Sequence, residues 1–186
     1  MTSNIGLNAI ARLVVRFDSL QAPIGNVFVA SSPQGICDVS FDALDERDYR
    51  SRLASQADKV CRDGDALQRA RVELEAYFQG QLTRFTVPTD LRSVTDFTRR
   101  VLLATRSIPF GQLRTYGDIA SVIRSPLAGR AVGGALGRNP IPIIVPCHRV
   151  IARGGKLGGF TGGLTIKRAL LAIEGHMPDE GFRDVE

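Results

Sequence analysis

The stretch Asn139-Pro140-Ile141-Pro142-Ile143-Ile144-Val145-Pro146-Cys147-His148-Arg149-Val150 carries most of what the chain reveals about itself. An apolar run broken by prolines delivers a cysteine with a histidine and an arginine directly behind it. A thiol attacks only as its thiolate, so a reactive cysteine needs a base or a positive field beside it. His148 is a candidate base, and Arg149 with the basic residues around it a source of field. Read as an extended strand, the segment sends Cys147 and His148 to opposite faces. A proton relay through water therefore fits better than direct contact. Such a base needs an orienting group. Glu174 is the first acid after Asp118 and ends an apolar helix expected over residues 164–173. A buried cysteine is more often a small hydrophobe. That reading suits Cys37 and Cys61, which lack such neighbours.

Charge separates this stretch from the rest of the chain. Residues 92–170 hold 13 basic side chains and only two acids, Asp96 and Asp118, a net of +11. Residues 1–91 carry −2 and residues 171–186 carry −4, giving +5 for all 186 residues. Of the 24 basic residues, 21 are Arg. The guanidinium fork donates two parallel hydrogen bonds and suits phosphate. Two readings stand on charge alone: a polyanion-binding half, most simply for nucleic acid, or a solvated basic face.

The pattern of elements divides the chain near the same place. Residues 12–17, 26–30 and 35–41 read as strands, with turns at Pro23-Ile24-Gly25 and Ser32-Pro33-Gln34-Gly35, an antiparallel meander. Residues 43–60 are polar with a helical centre. Residues 65–78 carry the apolar residues Leu67, Ala70, Val72, Leu74 and Tyr77 and stop at Gly80, which reads as a helix. Residues 83–91, with Pro88, read as a linker. Beyond it, helices are expected over 95–105, 116–123 and 128–136. The first carries Phe97, Val101, Leu102 and Ala104 on one face, with Thr95 or Ser93 as N-cap. Asp118 reads as a surface or capping residue. The second and third helices, joined through Arg124-Ser125-Pro126-Leu127, have the layout of a helix-turn-helix. Ala131, Gly133 and Gly134 on the third are small, which lets a backbone approach either DNA or a neighbouring helix closely.

Several classes fall away. No run reaches the roughly 20 apolar residues of a membrane-spanning helix. The opening segment has no basic leader, and Arg12 and Arg16 interrupt its apolar residues, so no secretory signal is expected. Three cysteines without a CxxC pair argue for a reducing, cytoplasmic setting. With only His148 and His176 besides them, no metal site and no cofactor are expected.

The segment 146–150, preceded by Asn139-Pro140, resembles the active-site signature of the O6-alkylguanine-DNA alkyltransferases, the methylated-DNA–protein-cysteine methyltransferases. Residues 108–111, 115–120, 129–133, 158–163 and 167–174 resemble further blocks of that family in the same order. The resemblance is strong over 94–176 and weaker at 22–25 and 74–80. It implies an α/β protein: a small ribonuclease H-like α/β domain over residues 1–90, and a helical DNA-binding and alkyl-acceptor domain over 91–186.

The activity implied is DNA repair by direct reversal. The alkyl group of a flipped O6-alkylguanine in duplex DNA, with O4-alkylthymine a second candidate, passes irreversibly to one cysteine, once per molecule. By resemblance Cys147 is the acceptor, His148 takes the thiol proton through water, Glu174 holds that histidine, and Asn139 braces the turn before the cysteine. Tyr116 turns the nucleotide and donates to the base, while Arg130 fills the vacated stack. Val150 and Cys147 offer carbonyls to the guanine amino group, and Thr161 aims its amide at O6. Phe160 lines the pocket, and Ala131 and Gly133 sit on the helix facing the minor groove. The implied partner is double-stranded DNA, bound by a monomer that can assemble cooperatively, with no membrane involved. Phe160 and Thr161 stand where many members have Tyr and Ser, and Leu102 where a Trp is usual. Without the resemblance, Tyr116 also reads as a helix anchor, Arg130 as a surface charge and Glu174 as a helix-end acid. Two rivals remain, a lesion-binding module without transfer and a helix-turn-helix regulator. A hydrolase would turn over, whereas an alkyl acceptor reacts one to one.

Overall fold

The computed structural model describes residues 13–41 and 45–176. The start of the first expected strand at residue 12 and the acidic residues after 176 lie outside that range. Strands β1 (Val14–Ala22), β2 (Gly25–Ser32) and β3 (Gly35–Ser40) form the expected antiparallel meander. Two-residue turns at Pro23-Ile24 and Pro33-Gln34 join them. Alternation sorts the side chains onto two faces. Val15, Phe17, Phe28 and Ala30 meet Tyr49 and Leu53 of helix α1 (Glu46–Ala54) on one side. Leu20, Val27 and Val29 meet Leu67, Ala70, Leu74 and Tyr77 of helix α2 (Gly64–Phe78) on the other. Asp45 caps α1 and Asp63 caps α2, each accepting from a backbone N–H in the first turn.

One strand was not anticipated. The polar segment 43–60 is helical at its centre, as expected, but after Ala54 the chain turns and β4 (Lys59–Arg62) pairs parallel to β1, giving the order β3-β2-β1-β4. Only Val60 of its four residues is buried. The open edge of β1 decides this pairing, because the segment has no alternation of its own. Asp18 on β1 is buried and accepts from Arg62 (3.0 Å) and Arg71 (2.8 Å), which ties β4 and α2 to the sheet.

The second half is helical, as expected. Helix α3 (Asp96–Arg106) starts at Thr95, whose hydroxyl accepts from Thr98 N–H. Its buried face is Thr98, Val101, Leu102 and Thr105, so Phe97 and Ala104 are only partly covered. The Thr105 hydroxyl donates to Val101 O at 2.8 Å, which permits a polar group there. Helix α4 (Tyr116–Val122) opens with a capping box between Thr115 and Asp118, the role expected of Asp118. Arg124 then takes the left-handed conformation (φ 56°) to turn the chain into α5 (Gly129–Leu136). The two helices pack on each other and on α3.

A two-strand parallel pair, β5 (Arg114–Thr115) with β6 (Val150–Ile151), was also not expected. It sets the start of α4 beside the segment that follows the cysteine. Helix α6 (Gly163–Ile173) closes the fold. One apolar cluster runs from Leu20 and Val27 of the sheet, through α2 and α3, to Ile141, Val145 and Leu170. Among the described residues no helix is long and apolar enough to cross a membrane.

Candidate functional site

Cys147 lies at the start of a 3-10 turn, Cys147–Arg149, and not in the extended strand expected from sequence. Arg149 N–H donates to Pro146 O at 3.0 Å and closes that turn. A proline φ suits turn and strand alike, so the prolines alone did not separate the two. Asn139 braces the loop before the cysteine. Its Nδ2 donates to Val145 O (2.9 Å) and to Cys147 Sγ (3.2 Å), and its Oδ1 accepts from Ile141 N–H (3.1 Å). Between these anchors Ile143, β-branched and fully buried, is held at φ 73°. That conformation is unfavourable for such a residue and persists where surrounding contacts fix it.

Behind the thiol sits a buried ionic cluster. His148 Nε2 lies 2.7 Å from Glu174 Oε1, both side chains fully buried. A carboxylate only accepts, so Nε2 carries the hydrogen and Nδ1 keeps its lone pair. Nδ1 is buried with no hydrogen-bond partner among the described residues. Glu174 also accepts from Arg149 Nε (2.8 Å to Oε2) and Nη2 (2.9 Å to Oε1), Gly111 N–H (3.1 Å) and the Tyr77 hydroxyl (2.9 Å). Burial alone would push the Glu174 carboxyl up, but the His148 and Arg149 donors and charges hold it at about 2. Burial lowers the His148 ring pKa, against the pull of Glu174, which keeps the imidazole neutral with the Nδ1 lone pair available.

The field at the thiol comes from a different cation than expected. Arg149 is committed to Glu174 and to Ile108 O (2.6 Å). Lys167 on α6 is fully buried and donates to Val150 O at 2.7 Å and to Leu157 O. Burial raises the Cys147 thiol pKa, while the Asn139 hydrogen bond and the Lys167 charge pull it back down. Lys167 itself is pushed by burial to about 8.

Cys147 opens onto a pocket of about 400 Å³ lined by Tyr116, Gly133, Leu136, Gly159, Phe160 and Thr161 among others. The Gly158 backbone runs against the Tyr116 hydroxyl so closely that a Cβ there would meet it. Thr161 Oγ1 donates to Gly137 O (3.1 Å), tying the pocket loop to the end of α5. Phe160 stacks on Phe41, ring centroids 5.7 Å apart and planes within 7°. Arg130 and Ala131 are exposed on the outer side of α5, whereas Val132, Ala135 and Leu136 face the core. Val150 O already accepts from Lys167, and Cys147 O from Val150 N–H; each keeps a second lone pair.

The expected residues thus fall into three groups. Cys147 with Asn139 and His148 with Glu174 form two buried contacts joined at the Cys147–His148 peptide, with Val150 following in the chain; Tyr116, Phe160, Thr161 and Gly133 surround the pocket, and Arg130 and Ala131 lie exposed on α5. Sequence reasoning missed Lys167, Tyr77 and Phe41. Lys167 had a signal, one of three lysines in an Arg-rich chain, set in an apolar helix. Tyr77 had its apolar spacing and its place in the weaker resemblance at 74–80, and Phe41 only its apolar character. Among the described residues no group of three His, Cys, Asp or Glu could hold a metal ion.

Two family models match the chain. Residues 15–91 match the 6-O-methylguanine DNA methyltransferase ribonuclease-like domain, and residues 96–176 the DNA-binding domain of the same family. A methylated-DNA–protein-cysteine methyltransferase of Mycobacterium tuberculosis is 55% identical over 112 residues, 60% of this chain and 67% of that protein. One from Methanosarcina acetivorans is 41% identical over 155 residues, 83% of this chain and 95% of its own. The crystal structure of Mycobacterium tuberculosis OGT in complex with DNA superposes with a TM-score of 0.73 at 42% identity. That match covers 87% of this chain and 92% of the other.

Proposed function

The chain belongs to the 6-O-methylguanine DNA methyltransferase family, and on that premise we propose that Cys147 is its alkyl acceptor. The protein repairs DNA directly, moving the alkyl group of O6-alkylguanine to a cysteine. The observation that carries the assignment is the meeting of Cys147 with both a base-sized pocket and a buried His148–Glu174 pair. Residues 1–90 and 91–186 are read as the two domains.

The reaction follows from the groups present. The thiol proton passes through water to His148 Nδ1, and Glu174 stabilises the resulting imidazolium. Cys147 Sγ bonds to the alkyl carbon as the carbon–O6 bond breaks, and its electrons return to O6. The Tyr116 hydroxyl and the Thr161 amide stand ready as donors at the base and its departing oxygen. Guanine then gains its N1 proton as the His148 imidazolium returns the thiol's proton through water, which leaves the imidazole neutral again. The thioether has no route back, so one molecule reacts once. Flipping costs a few kcal/mol, less for a poorly paired base, and Arg130 entering the gap offsets part of it. The reading places the protein in the reducing cytoplasm, where its three cysteines are free, as a monomer able to line up along DNA.

Intact mass after incubation with a short duplex carrying one O6-methylguanine tests it. One methyl should be gained per protein, and none in Cys147→Ser, which should still bind the lesion. Tight binding with no gain would make the protein a lesion sensor. Arg130→Ala should slow repair in duplex far more than reaction with free O6-benzylguanine. Equal slowing of both would remove the flipping role.

A further inference from the structure

Tyr77 belongs to α2, in the ribonuclease-like half, yet its hydroxyl reaches the centre of the relay. It donates to Glu174 Oε1 at 2.9 Å and lies 3.3 Å from His148 Nε2. The ring is fully buried and wedged against Phe78, Phe85 and Phe110, with centroids 5.5–6.2 Å away. It has no room to rotate away. A buried hydroxyl needs partners, and these two are its only ones among the described residues.

The proton positions follow from that geometry. The Tyr77 hydroxyl has one hydrogen, and it points at Glu174. The oxygen that remains can only accept from His148 Nε2–H, which is shared with Glu174 Oε1. In the opposite tautomer, with the hydrogen on Nδ1, the Nε2 lone pair would face a carboxylate oxygen at 2.7 Å. Relief would take the Tyr77 hydrogen away from Glu174. The arrangement is satisfied in one tautomer only, the one that leaves Nδ1 open.

Building on the reading of Cys147 as acceptor, we propose that Tyr77 is a positioning residue for alkyl transfer. Glu174 sets the Nε2–H tautomer of His148, and the ribonuclease-like half supplies the hydroxyl that holds the Glu174 carboxylate and the imidazole in place, with Nδ1 free to take the thiol proton. The half that does not bear the cysteine thereby completes the relay.

Tyr77→Phe removes only the hydroxyl and keeps the ring packing. Its rate of transfer at saturating O6-methylguanine duplex should fall about tenfold, the size of one hydrogen bond to a charged group. Its affinity for the duplex, measured with Cys147→Ser in both backgrounds, should not change. Nitrogen-15 spectra should show His148 as the neutral Nε2–H tautomer in both proteins, with the imidazole resonances of Tyr77→Phe moved by loss of the hydroxyl from the His148–Glu174 pair. An unchanged rate, a rate loss matched by an equal loss of affinity, or an Nδ1–H tautomer in the wild type would each overturn the proposal. Even if the variant fails to fold, an Nδ1–H tautomer in the wild type would overturn the proposal. Absence of methyl gain by the wild type would instead strike the acceptor reading, and leave the tautomer measurement standing.

Discussion

Lys167 and Glu174 put opposite charges on the two sides of Cys147–His148, and each has a consequence that pH or substitution exposes. The Lys167 ammonium is held by two backbone carbonyls inside the protein, where its field on the thiol is poorly screened. Lys167→Met should raise the Cys147 thiol pKa and slow transfer at neutral pH about tenfold. The pH dependence of alkylation by iodoacetamide reads the first effect directly, and an unmoved profile would show that Asn139 alone sets the thiol. Glu174 works on stability. Its folded pKa, about 2, lies below the ordinary carboxylate value. A depressed carboxylate contributes stability above its unfolded pKa and loses it as pH falls through the folded one. The contribution is on the order of 3 kcal/mol and should vanish between about pH 4.5 and 2. Urea midpoints across that window should fall steeply in the wild type and less steeply in Glu174→Gln. Parallel curves would mean that other carboxylates carry the acid sensitivity.

The elements that aim these residues differ in how plainly the sequence announces them. The meander, α2, α3 and the pair α4 and α5 were legible because each has its own periodicity, turn, stop or cap, such as Gly80 after α2, Thr95 before α3 and Asp118 at the start of α4. The Cys147–His148–Glu174 set was legible because a motif and a helix end supply it. The short strands were not. β4, β5 and β6 have two to four residues, and pairing with an edge elsewhere in the chain makes them strands. Nor was the contact of Phe41, just past β3, with Phe160 in the pocket loop, because only the tertiary fold joins them. Gly162 is the test of that contact. A Cβ there would overlap the Phe41 ring, although the Gly162 backbone has an ordinary φ of −85°. Gly162→Ala should cost about 1–3 kcal/mol by overpacking and slow transfer by shifting Phe160. In a Phe41→Ala background the same change should cost much less, since the ring it strikes is gone. Additive losses in the double variant would show that the glycine is needed for another reason.

The charge switch near residue 91 and the two family matches divide the chain, but its packing does not. A single apolar cluster takes in Leu20 and Val29 from the sheet, Leu74 and Tyr77 from α2, and Val101, Val145 and Leu170 from the helical half. The relay crosses the same line, with Tyr77 on one side and His148 and Glu174 on the other. Neither half therefore buries its apolar face alone, and the two should unfold together. The chain has no Trp and three Tyr, which makes this measurable with native reporters. Tyr49 sits on α1 against Phe28 of β2, Tyr77 within the relay and Tyr116 at the pocket. Tyrosine near-ultraviolet dichroism and far-ultraviolet dichroism should lose their signals at one midpoint, with calorimetric and van't Hoff enthalpies equal. A tyrosine transition well below the loss of helix would mean that the sheet half releases first. His148 would then lose its Tyr77 contact while the cysteine-bearing half stayed folded, and alkyl transfer should fall at that lower temperature with it.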